Sequence, residues 1–197
     1  GQDLEHILAR ADNTIISGGS VLDTTADEGA IYTKGVVSAV VTGNLVRFTT
    51  TPASTETQRG LIVTAPSVLI SGNSFINCGR GISTRASKLN VISNLFETCL
   101  RTIANALTAN AEEINIKANV FDRCQLIYND DSSSFTTEVL SFLGNTFKLT
   151  DSTKISTFDD LNTKHINFIS NNFIGTNNHS VDRIIGYQPP SNTSEIS

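Results

Sequence analysis

The 197-residue chain has no tryptophan, no methionine, four prolines and three cysteines, and only 17% of its residues are charged. No stretch approaches the ~18 consecutive apolar residues of a membrane-spanning helix, and no signal-peptide pattern is present, so membrane insertion is not expected. Lys and Arg total 14 against 19 Asp and Glu, for a net charge of −5. With no local cluster of basic residues, this balance argues against a nucleic-acid groove and says nothing against a neutral sugar ligand. The three cysteines form no CxxC pair and no histidine shares their spacing, which excludes a zinc site and leaves no cofactor to expect. Nucleophile elbow, P-loop, dinucleotide fingerprint and HExxH are all missing. The chain opens on Gly1, as expected of a fragment, a mature chain or a virion component.

What is present is a repeat. Asn73, Asn94, Asn119, Asn145 and Asn171 each close a short apolar stretch, and each is followed two residues later by Phe75, Phe96, Phe121, Phe147 or Phe173. A small residue always precedes the asparagine: Gly72, Ser93, Ala118, Gly144, Ser170. Five and three residues before it stand apolar pairs such as Val68 and Ile70, or Leu89 and Val91. This period-2 alternation is that of a strand with one buried face. The asparagines are 21, 25, 26 and 26 residues apart, a variable period that excludes a helical repeat of fixed length. The small residue and the asparagine suit a tight bend, since asparagine tolerates the left-handed region and bonds nearby backbone. Weaker units occur upstream around Asn44 and Gly19. A third strand class lies between units, at 30–34, 60–64, 81–85, 102–106, 126–130 and 183–187.

Stacked asparagines at one bend, with stacked aromatics beside them, resemble the right-handed parallel β-helix of the pectate-lyase-like superfamily and of bacteriophage tailspikes. The resemblance covers roughly residues 14–187. It implies an all-β domain, a single-stranded right-handed parallel β-helix of three parallel sheets and about seven coils, ending in a tail at 188–197. Leu4, Ile7, Leu8 and Ala11 fall on one helical face, so residues 2–11 are expected to form a short helix capping the open end of the solenoid. The resemblance also implies an extracellular or virion-surface location, a polysaccharide partner and a homotrimer.

Cys78, Cys99 and Cys124 occupy one position of the repeat, which predicts a ladder of buried thiols; a disulfide between adjacent coils is the alternative. The asparagines and phenylalanines are expected to be structural, satisfying the bend and filling the core. The outward row Ser71, Ile92, Lys117, Leu143 and Ile169 is too apolar for a fully solvated face, predicting self-association or a covering loop.

Glycoside hydrolysis needs paired carboxyls about 5 Å apart for retention or about 6.5–9.5 Å for inversion, distances that neighbouring coils at ~4.8 Å provide. The candidates are Asp130, Asp131, Asp159 and Asp160, with Glu112 and Glu113 one coil earlier. Arg85, Arg101, Asn129 and Lys117 are the candidate substrate-binding residues, Arg123 could also contact substrate, and His165 or His179 are further candidates. Three functions follow as expectations: a module recognising a bacterial surface polysaccharide, a lyase or hydrolase acting through those aspartates, or a structural spacer of a fibre.

Overall fold

A computed structural model of the chain describes residues 7–9, 12–22, 30–33, 35–55, 57–130, 135–148, 163–175 and 195–196. They form a parallel β-solenoid of three sheets with six, eight and seven strands. One turn runs Arg80–Thr84 in the first sheet, Lys88–Ile92 in the second and Leu95–Glu97 in the third; the next begins at Arg101. Every strand pairs in parallel with its counterpart one turn away, as Leu89 does with Val68 on one side and Ile114 on the other. The strands between Ile31 and Lys148 complete five turns, and strands at Asn13–Ser17, Ser20–Leu22, Thr163–Ile169 and Asn172–Ile174 extend the second and third sheets beyond them.

The core is built from repeated inward positions. Leu89, Val91, Ile114, Ile116 and Leu140 are fully buried in the second sheet, facing Phe75 and Phe96 of the third. The rings stack coil on coil, with centroids 5.2 Å apart for Phe75 and Phe96, 5.3 Å for Phe96 and Phe121, and 5.0 Å for Phe121 and Phe147.

The first corner works differently from the sequence expectation. The left-handed residue is the small one, Gly72, Ser93, Ala118, Gly144 or Ser170, with φ between 54° and 63°, and not the asparagine. Its N–H donates to the next coil, as Ser93 does to the Lys117 carbonyl at 3.0 Å. The asparagine is thereby free to turn its amide inward along the axis. Asn94 Oδ1 accepts from the Asn73 N–H at 2.9 Å and from Asn73 Nδ2 at 3.0 Å, and Asn119 serves Asn94 in the same way. Each Nδ2 also donates to a carbonyl of the preceding coil, Asn94 to Ile70 at 3.0 Å and Asn119 to Val91 at 2.8 Å. Side chains thus provide the buried backbone of the bend with the partners it needs.

The expected capping helix is corrected in part. Ile7–Ala9 is a strand, with Ile7 beside Ile31 and Leu8 beside Tyr32, so it continues the first sheet. A ladder along an existing sheet edge gives each residue a backbone partner, whereas an isolated helix of ten residues is marginal. Residues 2–6 and 10–11 lie outside the described residues, as do the expected strand at 183–187 and most of the 188–197 tail.

At the second corner Asn77, Thr98 and Arg123 take the left-handed conformation, and Cys78, Cys99 and Cys124 follow them as free, buried thiols. Cys124 Sγ lies 3.5 Å from the Phe96 carbonyl of the coil before. Burial pushes the Cys99 and Cys124 thiols well above their ordinary range. The folded chain therefore keeps protons that the unfolded chain releases. The thiols' contribution is fully present below the ordinary thiol value of about 9 and is lost as pH rises above it. Relative to a Cys99→Ala/Cys124→Ala variant, the unfolding free energy should fall more steeply by about 1.4 kcal/mol per pH unit for each thiol. Urea unfolding from pH 8 to 10.5 measures this, and equal slopes for the two proteins would contradict it. A thiol reagent should likewise label all three cysteines only after denaturation.

Candidate groove on the first sheet

Two strands of the first sheet break the alternation at the same position. In Arg59–Val63 and Arg80–Thr84 two consecutive residues, Gly60 with Leu61 and Gly81 with Ile82, are buried. A Cβ on Gly60 would stand 2.6 Å from the Gly81 carbonyl and 2.9 Å from the Phe75 ring, so glycine there allows the backbone to sit close over the phenylalanine stack. The residue before this buried pair is left on the outside. It is Arg59, Arg80 and Arg101 in three successive coils, paired in register, with Leu126 in the fourth.

Two more rows run parallel to these arginines. Ile62, Ser83, Ala104 and Asn129 are in register in the middle of the face, with Tyr32 beside Ile62 on the earlier coil. Thr64, Arg85 and Ala106 follow the strand ends on the far side. Most of these residues line a groove of about 530 Å³ that spans four coils, from Tyr32 to Ala104 and Ala106; Arg101, Leu126 and Asn129 are not part of its lining. Arg59, Arg80 and Arg101 are half-buried and Arg85 is exposed. The Ser83 hydroxyl has no hydrogen-bond partner among the described residues.

A ten-residue excursion between the third and first sheets walls one end of this face. Gln58 Nε2 donates to the Thr50 carbonyl and hydroxyl, both at 2.9 Å, and Thr57 Oγ1 donates to the Ser54 carbonyl at 3.1 Å. The excursion packs against Gly79, where a Cβ would meet the Thr57 carbonyl at 2.0 Å and the Ser54 carbonyl at 2.4 Å. Arg80 Nε in turn donates to the Thr55 carbonyl at 3.2 Å. The Thr55 carbonyl is thus one of the groups that orient Arg80.

The residues singled out from sequence are distributed as follows. Arg85 lines the groove, Arg101 is the third arginine of the outer column, and Asn129 continues the middle row one coil further. Lys117 stands on the second sheet, in register between Ile92 and Leu143, on a different face from the arginines. In that row Ile92 and Leu143 are half-buried and Ile169 is exposed. Asp130 ends the last strand of the first sheet, in register with Asn105. Asp131, Asp159, Asp160 and His179 lie outside the described residues. Glu112 is exposed on the second sheet and pairs with Lys88 at 2.8 Å. Arg123 is engaged elsewhere, on the third sheet, where it bonds Glu97 and lies 3.2 Å from Asp122, which also pairs with Lys148 at 3.2 Å. Glu97 and Asp122 are register neighbours, a spacing that suits a carboxyl pair, but surrounding cations make them rungs of an exposed ion-pair ladder. His165 is exposed on the second sheet.

Among the described residues the groove therefore offers cations, a hydroxyl, a phenol and an apolar strip, and its lining contains no carboxylate. Sequence reasoning missed Arg59 and Arg80, although a signal existed: Arg59, Arg80 and Arg101 recur every 21 residues, each followed by Gly or Thr and then Leu or Ile. Comparison of the chain with protein-family models, curated proteins and solved structures returned no match.

Proposed function

We propose that the solenoid is a binding module, tailspike-like in architecture, that holds a bacterial surface polysaccharide along the outer face of its first sheet, outside a cell or on a virion. The observation that carries this reading is the four-coil groove lined by Arg59, Arg80, Arg85, Tyr32 and Ser83. An elongated groove with polar side chains on three of its four coils suits a linear polymer, because strands at ~4.8 Å spacing present repeated contacts along the axis. Guanidinium groups donate to hydroxyls as well as to anions, and the Tyr32 ring offers a flat apolar face.

A second reading, cleavage of the bound chain, is favoured by one fact: Asp130 ends a strand of the same sheet. In that case Asp130, with Asp131, Asp159 or Asp160, would supply the carboxyl pair that hydrolysis requires. The two readings separate in one experiment. The protein is incubated with a panel of capsular polysaccharides and lipopolysaccharides, and both retention and release of reducing ends are measured. Retention without release is the expected result. Release that is abolished by Asp130→Asn or Asp159→Asn would replace the binding module with an enzyme. Failure to retain any glycan would remove both and leave a fibre spacer.

A further inference from the structure

Resting on the reading that the groove holds a polysaccharide, we infer that the sugar it selects carries an acetyl group, as an amide or an ester. The methyl lies on Tyr32 and Ile62, and the carbonyl oxygen accepts from Arg85. Tyr32 and Ile62 are neighbours in register on adjacent coils, each half-buried on the outer face of its strand. Both line the groove, and beyond them its middle row continues with Ser83 and Ala104. The apolar platform inside the groove is therefore two side chains long, one coil step of ~4.8 Å, which is the size of a single substituent and not of a polymer. Arg85 lines the same groove, two residues past Ser83, the register neighbour of Ile62.

The two halves of this site are free for a ligand. The core of the same strands is completed by Ile31, Leu61 and Val63, each fully buried, so Tyr32 and Ile62 are not needed to close it. Arg85 is exposed, and among the described residues it holds no hydrogen bond or ion pair. On the same rim the Thr64 hydroxyl already donates to the Thr33 carbonyl at 3.0 Å and Ala106 has no polar side chain, which leaves Arg85 as the donor there. A guanidinium donates to charged and neutral oxygens alike, so Arg85 alone does not separate a carboxylate from a carbonyl. The platform beside it does. A carboxylate set against Tyr32 and Ile62 would lose water that an apolar wall cannot replace. A plain hydroxyl would take the hydrogen bond and leave the platform bare. An acetyl group is apolar at one end and an acceptor at the other, and so uses both surfaces at once.

Pairs of glycans that differ in the acetyl group test this with the full chain. One pair is chitohexaose and cellohexaose, the same glucan backbone with and without the acetamide. The others are the capsular polysaccharides that the chain retains, before and after removal of their acetyl groups, with chemical re-acetylation as the control. At least one acetylated member is expected to bind about tenfold or more tightly than its counterpart, and re-acetylation should restore the difference. Ile62→Ser and Arg85→Ala should each bring that ratio close to one, with thermal unfolding unchanged because neither residue belongs to the core. Tyr32→Phe should keep the preference and Tyr32→Ala should lose it. Arg85→Lys, which keeps a donor without the fork, should retain part of it. Lys148→Ala on the third sheet should leave it intact. Retention of glycans with no pair distinguished would overturn the acetyl site and leave the polysaccharide module standing. A preference that survives both Ile62→Ser and Arg85→Ala would do the same. Tighter binding of polygalacturonate, which carries carboxylates and no acetyl group, than of any acetylated glycan would replace the acetyl group with an anion at Arg85. Retention of no glycan at all would remove the site together with the module.

Discussion

Asn119→Ala should lower the unfolding free energy by about 2–4 kcal/mol, since the truncation strands the buried Asn94 N–H, at about 1–3 kcal/mol, and takes one partner each from Asn94 Nδ2, which keeps the Ile70 and Ile92 carbonyls, and from the Val91 carbonyl. Asn119 Oδ1 is the acceptor for the Asn94 N–H at 2.9 Å and for Asn94 Nδ2 at 3.0 Å, and its own Nδ2 satisfies the Val91 carbonyl at 2.8 Å. Its backbone bond to Asn145 Oδ1 survives the change, so the coil on the other side keeps its contact. Asn119→Asp preserves the shape but removes the donor and places a carboxylate at a site where the native residue is 1% exposed. That variant should be at least as damaged at neutral pH and should recover stability on acidification, when the carboxyl becomes neutral. Chemical denaturation at pH 7 and pH 4 measures both. A loss below about 1 kcal/mol for Asn119→Ala would mean that water replaces the amide and that the ladder is dispensable.

Phe96→Ala should cost about 3–5 kcal/mol, the usual range for emptying a fully buried aromatic site. Phe96 has two ring neighbours, Phe75 at 5.2 Å and Phe121 at 5.3 Å, and it fills the space beneath Gly81, where an added Cβ would stand 3.3 Å from the ring. Because successive coils are fixed by the strand ladders above and below, the neighbours cannot collapse into the void. Phe96→Leu keeps most of the volume and should cost far less, about 1–2 kcal/mol. A small loss for Phe96→Ala, or equal losses for the two variants, would show that the stack relaxes around the gap.

What the sequence made legible was the periodic, inward-facing part of the molecule. Val68, Ile70, Leu89 and Val91 alternate because the second sheet buries one face. The asparagines recur because each serves its neighbour, so pattern and contact coincide. The cysteine column was visible for the same reason. The arginine column was not, because the consecutive buried pairs Gly60–Leu61 and Gly81–Ile82 break the alternation and shift the apparent strand start one residue past the arginine. Asp131, Asp159 and Asp160 lie outside the described residues, and no other unit of the sequence repeats them, so spacing gives them no position. Ile7 and Leu8 read as a helical face because isoleucine and leucine three or four residues apart fit a helix, while pairing with Ile31 and Tyr32 is a long-range contact with no local mark. The left-handed residue was misplaced on asparagine because local preference favours it there, whereas the amide was needed elsewhere.

The asparagine column also separates two properties that a chain normally couples. Asn44 and Asn73 are 29 residues apart and Asn73 and Asn94 are 21, yet both pairs make the same bonds at the same distances. The column therefore counts turns and is blind to contour length, like a ruler whose marks are chemical. The whole difference is absorbed in segments such as the 49–58 excursion, which can be lengthened, shortened or exchanged without changing the frame of any later coil. A foreign peptide inserted between Thr50 and Ser54 would be carried beside Arg80 while the amides from Asn94 onward kept their partners.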